Sequence, residues 1–191
     1  MDINEPLHGY VHLWMIAIAV FAGFIVVIIN KVWAEQHKAD YKKTSIILTL
    51  VLTAYILIYC YICFFCRKPM EEAHIRLRPF WSFHEAFDGL SIRRLGLARS
   101  IALNILLYVP LGYLIPALLR GKKHCYQKTI WMILAFSIST EIIQYFTHTG
   151  LCELDDMINN LIGGLVGLAG YILLQKLVDK LNDTLKQSES I

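Results

Sequence analysis

The chain has 191 residues, 57% of them hydrophobic and only 17% charged, with a net charge of +3 and a mean hydropathy of +0.52. Soluble domains run nearer about 45–50% apolar and 25% charged, and the excess here lies in long uncharged runs. That excludes a soluble globular domain, a disordered chain and a disulfide-stapled secreted module, and the small net charge argues against nucleic-acid binding.

Crossing a hydrocarbon core takes roughly 20 mostly apolar residues in a helix, because only a helix satisfies its own backbone there. Five runs qualify: 10–29, 44–66, 101–119, 129–147 and 157–174. The first is preceded by Asp2 and Glu5 and by no Lys or Arg. That is the wrong charge for a signal peptide, so a retained span is expected. The chain then reads as two N-terminal spans (1–66), a connecting segment (67–100), three further spans (101–178) and a short tail (179–191). The expected fold is an all-α membrane bundle of about five helices.

Basic residues in short loops set the orientation. Lys31, Lys38, Lys42 and Lys43, then Arg120, Lys122, Lys123 and Lys128, then Lys176, Lys180 and Lys186 fall on one side. Fewer fall on the other, all in one segment: Arg67, Lys68, Arg76, Arg78, Arg93, Arg94 and Arg99. An outer N-terminus and a cytoplasmic C-terminus are therefore expected, with the 67–100 segment outside.

That segment is too aromatic for a plain linker. After Pro79, the residues Phe80, Phe83, Phe87 and Leu90 recur at helical spacing, with Ser82, Glu85 and Asp88 off that face. The pattern predicts an amphipathic helix on the outer surface, anchored by Trp81, or else a helix that merely caps the bundle. The arginines beside it suit phosphate or carboxylate.

Polar residues from three spans meet at one level below the outer end: Asn104; Ser137, Glu141 and Gln144; then Asp155, Asp156, Asn159 and Asn160. A carboxylate within a span is costly and marks a functional site by default, which makes Glu141 the leading candidate. Its bland reading is an ion pair with an outer arginine. Asn104 and Asn160 also suit interhelical hydrogen bonding, and Asp155 and Asp156 suit a helix start. Glu153, Asp155 and Asp156 offer a weak set of ligands for a divalent cation; no other cofactor is expected. Gly163 and Gly167 form a GxxxG suited to close helix contact. Pro110 and Pro116 are expected to kink the third of these spans. Cys66 and Cys152 both lie near the outer end and are candidates to pair.

In order and spacing, Arg78-Pro79-Phe80, the stretch from Asn104 to Gly112, Ser139-Thr140-Glu141 with Gln144, and Glu153 through Asn160 to Gly163 resemble the VanZ-like family of bacterial membrane proteins. The resemblance covers about residues 76–175, with Glu153 where an aspartate is more usual. It implies a multi-pass protein of the bacterial cell membrane, associated with lower susceptibility to teicoplanin-type glycopeptides; it implies no catalytic mechanism. Three functions are open. One is an accessory protein whose outer pocket, walled by Arg78, Asn104, Glu141, Gln144, Asp155, Asp156 and Asn160, binds an anionic lipid, a cell-wall precursor or a lipoglycopeptide. Another is a hydrolase or transferase on a lipid-linked anionic substrate, with Glu141 as general base and a metal at Asp155 and Asp156. The third is a structural or partner subunit.

Overall fold

The computed structural model describes residues 41–67, 70–71, 74–87 and 92–189. The run at 10–29, Leu90 and Asp88 lie outside the described residues. Within them, joined by turns and irregular stretches, the elements are α1 (Tyr41–Cys60), a π-helical turn (Tyr61–Phe65), β1 (Ile75–Arg76), α2 (Trp81–Phe87), α3 (Ile92–Leu118), α4 (Cys125–Phe146), β2 (Cys152–Glu153) and α5 (Leu154–Glu189). Four stretches are long and apolar enough to cross a membrane: Thr44–Phe65, Leu95–Leu118, Cys125–Phe146 and Leu154–Thr184. They correspond to the four described runs of the sequence. The structure is that of an all-α multi-pass membrane protein.

Two boundaries differ from expectation. The connecting segment is shorter, because α3 already begins at Ile92. The tail is not a separate element, since α5 continues to Glu189. α3 also runs unbroken through Pro110 and Pro116. Tertiary packing has extended helices beyond the uncharged cores that hydropathy alone can mark.

The described residues fall into two compact units, one holding 41–58 and 178–189, the other Tyr59–Leu177. In the first, α1 opens with Tyr-Lys-Lys and turns apolar from Ser45 onward. All the functional candidates sit in the second.

In that unit α5 packs tightly against α3 through glycine. A Cβ on Gly163 would overlap the carbonyl oxygen of Ile105, one on Gly167 that of Val109, and one on Gly112 that of Gly164. The GxxxG expectation is met as backbone-to-backbone contact, which side chains would forbid. Gly164 also faces the side chain of Ile133 on α4, so α5 lies between both neighbours. Tyr108, Leu111, Tyr113, Leu114 and Ile133 form the closed core, while Leu106, Trp131, Phe146 and Leu173 stay exposed. Apolar side chains on both faces are what a helix between protein and lipid needs.

Candidate functional site

The segment after the π-helical turn is fastened to the α4–α5 junction by backbone bonds. Met70 N donates to His148 O at 2.8 Å and Cys152 N to His74 O at 3.1 Å. β1 and β2 then pair in parallel, Ile75 with Cys152 and Arg76 with Glu153. This brings residues about 75 positions apart into one layer over the ends of the helices.

Asp155, in the first turn of α5 and fully buried, anchors the next stretch. One carboxylate oxygen accepts from Phe80 N at 2.5 Å. The other accepts from Ser82 N at 2.8 Å and Ser82 Oγ at 2.6 Å. Both oxygens are thus engaged in holding the chain where it enters α2. Phe80 carries φ +59°, a left-handed conformation that costs a bulky residue of order 1–3 kcal/mol and persists only where its surroundings impose it. The carboxylate is what imposes it.

This changes the expected amphipathic helix. α2 spans only Trp81–Phe87, Phe80 precedes it and is exposed, and Ser82 is buried rather than turned outward. Periodicity counted Phe80 as a helical position, whereas the Asp155 contact puts a left-handed residue there and rotates Ser82 inward.

Behind this layer, side chains from three helices and the segment after α1 converge. Glu141 on α4 is 2% exposed, and its Oε2 accepts from Glu153 N at 3.3 Å. Asp156 lies close enough to act on Glu141 electrostatically, as does Arg67. The amide of Asn104 on α3 bonds the Asp156 carboxylate, which also feels Arg67. Gln144, one turn beyond Glu141 on α4, donates through Nε2 to Cys63 O at 3.4 Å. The π-helical turn carries that carbonyl, and such turns recur at functional sites. Gly150 leaves room here: a Cβ on it would stand 3.0 Å from Arg67 Nη1 and 3.2 Å from Gln144 Oε1. Glu141, Gln144, Asn104 and Asp156 are therefore neighbours, with Arg67 as the cation among them.

Asn160 belongs to a deeper layer. Its Nδ2 donates to the buried Ser137 Oγ at 3.0 Å. Ser137 in turn bonds Tyr108, and the Tyr108 and Tyr59 hydroxyls meet at 3.0 Å. Tyr59 completes the line by donating to Thr140 Oγ1 at 3.2 Å. Four helices are tied by this chain, which is the interhelical role open to Asn160 from the sequence. The neighbouring Asn159, fully buried, has no partner for Oδ1 or Nδ2 among the described residues. An unmet buried amide costs about 1–3 kcal/mol.

Arg78 stands apart from these groups. It is exposed and lines an open cleft of about 490 Å³ together with Arg76, Pro79, Phe80, Trp81, His84 and Glu85. Arg76 bridges cleft and interior. Its Nη1 pairs with Glu153 Oε1 at 3.0 Å, and its guanidinium carbon lies 4.0 Å from the Trp81 ring centroid. Burial, then the negative charges of Asp156 and Asp155, outweigh Arg76 and raise Glu153 from 4.5 to about 7. Cys152 is also pushed up, by burial and then by Glu141.

Cys66 and Cys152 are both free. Among the described residues no group of three or more His, Cys, Asp or Glu side chains is placed to hold a metal. Asp155 is engaged by the 80–82 backbone and Asp156 by Asn104. Arg67, Arg76, Tyr59 and Tyr108 are the residues that sequence reasoning missed as members of the site.

Comparison with protein-family models finds a match to VanZ/LLP1 over residues 11–175. No curated protein and no solved structure matches the chain. The family match covers most of the sequence, including every residue of the two polar layers and the cleft, and the chain therefore belongs to the VanZ/LLP1 family.

Proposed function

We propose that this VanZ-like membrane protein lies in the bacterial cell membrane with its N-terminus outside and its C-terminus cytoplasmic, and that it lowers susceptibility to teicoplanin-type glycopeptides by binding an anionic amphiphile at the outer end of the helices. One observation carries this reading. Glu141, buried at 2% exposure, lies within electrostatic reach of Asp156 and Arg67, and Asp156 is bonded by Asn104, while the Arg76–Glu153 pair links this group to an arginine-lined cleft. Ionisable residues inside a membrane bundle are expensive and are kept where they bind or move something. Arginines at the entrance supply forked donors for carboxylate or phosphate. The acids behind them suit an amine of the same ligand.

The test is binding of teicoplanin to the purified protein in detergent. Saturable binding that survives EDTA and weakens roughly tenfold in Arg78→Ala, the loss of one charge-assisted contact, is expected. Unchanged binding in Arg78→Ala would contradict it.

A second reading has one supporting observation, the same buried Glu141 beside a second carboxylate. In it the protein is a hydrolase or transferase on a lipid-linked anionic substrate, with Glu141 as general base. Glu141→Gln would then abolish turnover while leaving binding intact.

A further inference from the structure

The exposed cleft contains more than an entrance needs. Arg76 ends β1 and Arg78 follows two residues later, and both line the cleft. Arg78 is exposed and pairs with no carboxylate among the described residues. Arg76 lies against Trp81 and gives Nη1 to Glu153, but a guanidinium carries five donors in a planar fork, and the side chain is 42% exposed. Phe80 is 56% exposed, and the Asp155 carboxylate holds it in its left-handed conformation. Two cations, a flat aromatic wall and an exposed ring therefore share one concave surface of about 490 Å³.

We infer that this cleft binds the phosphate of a membrane amphiphile between Arg76 and Arg78, with the apolar part of the ligand on Phe80 and Trp81, and that Glu153 competes with the phosphate for Arg76. This rests on reading the same end of the protein as the binding end, and not on a glycopeptide being the ligand.

Around Glu153 stand Arg76 from β1, Glu141 from α4, which accepts the Glu153 N–H, and Asp155 and Asp156 from the start of α5. His84 and Glu85 face the cleft from α2. With Glu153 titrating near 7, its neutral form below that pH frees Arg76 and its carboxylate above it holds Arg76. Anion affinity should therefore fall as pH rises through 7. The pH dependence is therefore compared between the native protein and Glu153→Gln.

The experiment titrates the full-length protein in detergent with two probes, dihexanoyl phosphatidylglycerol and inorganic phosphate, by calorimetry on either side of pH 7. Dihexanoyl phosphatidylcholine is the zwitterionic control. The lipid phosphodiester does not titrate in this range, so its pH dependence belongs to the protein. The lipid should bind at least about tenfold more tightly than inorganic phosphate, and Arg76→Gln and Arg78→Gln should each weaken it roughly tenfold. Glu153→Gln should tighten it above pH 7 and reduce its pH dependence. Because Arg78 is exposed and pairs with no carboxylate among the described residues, its variant reports on binding even if Arg76→Gln fails to fold. Native affinity in Arg78→Gln, or weaker lipid binding in Glu153→Gln, would overturn the inference. Equal affinity for inorganic phosphate would overturn the amphiphile as its source. Lipid binding without teicoplanin binding would leave this site standing and remove the glycopeptide reading.

Discussion

Asp155→Ala is expected to be the most damaging single substitution in the layer that covers the helix ends. The carboxylate accepts from Phe80 N, Ser82 N and Ser82 Oγ, so alanine leaves two backbone donors and a hydroxyl unmet at a buried position. Leaving a buried donor without its acceptor costs about 1–3 kcal/mol. It also releases Phe80 from its left-handed conformation, which allows the 78–82 stretch to relax away from α5. Asp155→Asn keeps acceptor oxygen on one side only and should lie between native and alanine. Thermal unfolding of the three proteins in one detergent measures this order. An alanine variant as stable as the native protein would show that the carboxylate does not hold the segment.

Gly167→Ala is expected to be the most damaging change in the α3–α5 seam. A single methyl group there meets the backbone carbonyl of Val109, which no rotamer change can move aside. The helices must separate or shift, and overpacking of this kind costs about 1–3 kcal/mol or more. Gly163→Ala, against Ile105, should act alike, and the pair should not be additive because one displacement of α5 relieves both. Gly170→Ala supplies the contrast. Nothing lies within 4 Å of the added methyl group, and alanine is the better helix former by about 0.8–1 kcal/mol. Its unfolding temperature should match or exceed the native value. A seam variant as stable as Gly170→Ala would disprove the close approach.

The four described spans were legible because long uncharged runs carry the membrane signal without help from tertiary structure. Glu141, Asn104, Gln144 and Asp156 were legible as a set because helical rise alone places them at one level. Asn160 fell one layer deeper than its sequence neighbours: at position 160 its side chain turns toward Ser137 on α4, whereas Asp156 turns toward Asn104 on α3. Arg67 and Arg76 were not legible as members. Arg67 reaches the acids only because the segment after α1 folds back, and Arg76 only because β1 pairs with β2. Neither contact leaves a local pattern. Ser82 was misplaced by a periodicity that cannot know a carboxylate 73 residues later will capture its backbone. Tyr59 and Tyr108 were invisible for another reason. Helices that face lipid are apolar on every side, so no stripe marks which tyrosines carry a buried polar chain.

The most direct measurement of the central claim, that the polar layer behind the cleft is where this VanZ-like protein acts, is teicoplanin susceptibility in a sensitive host. The host expresses either the native protein or Glu141→Gln, with membrane levels matched. The expected result is protection by the native protein and its loss in Glu141→Gln, while both accumulate and unfold alike. Equal protection by both would contradict a role for Glu141, and protection by neither would contradict the resistance function itself.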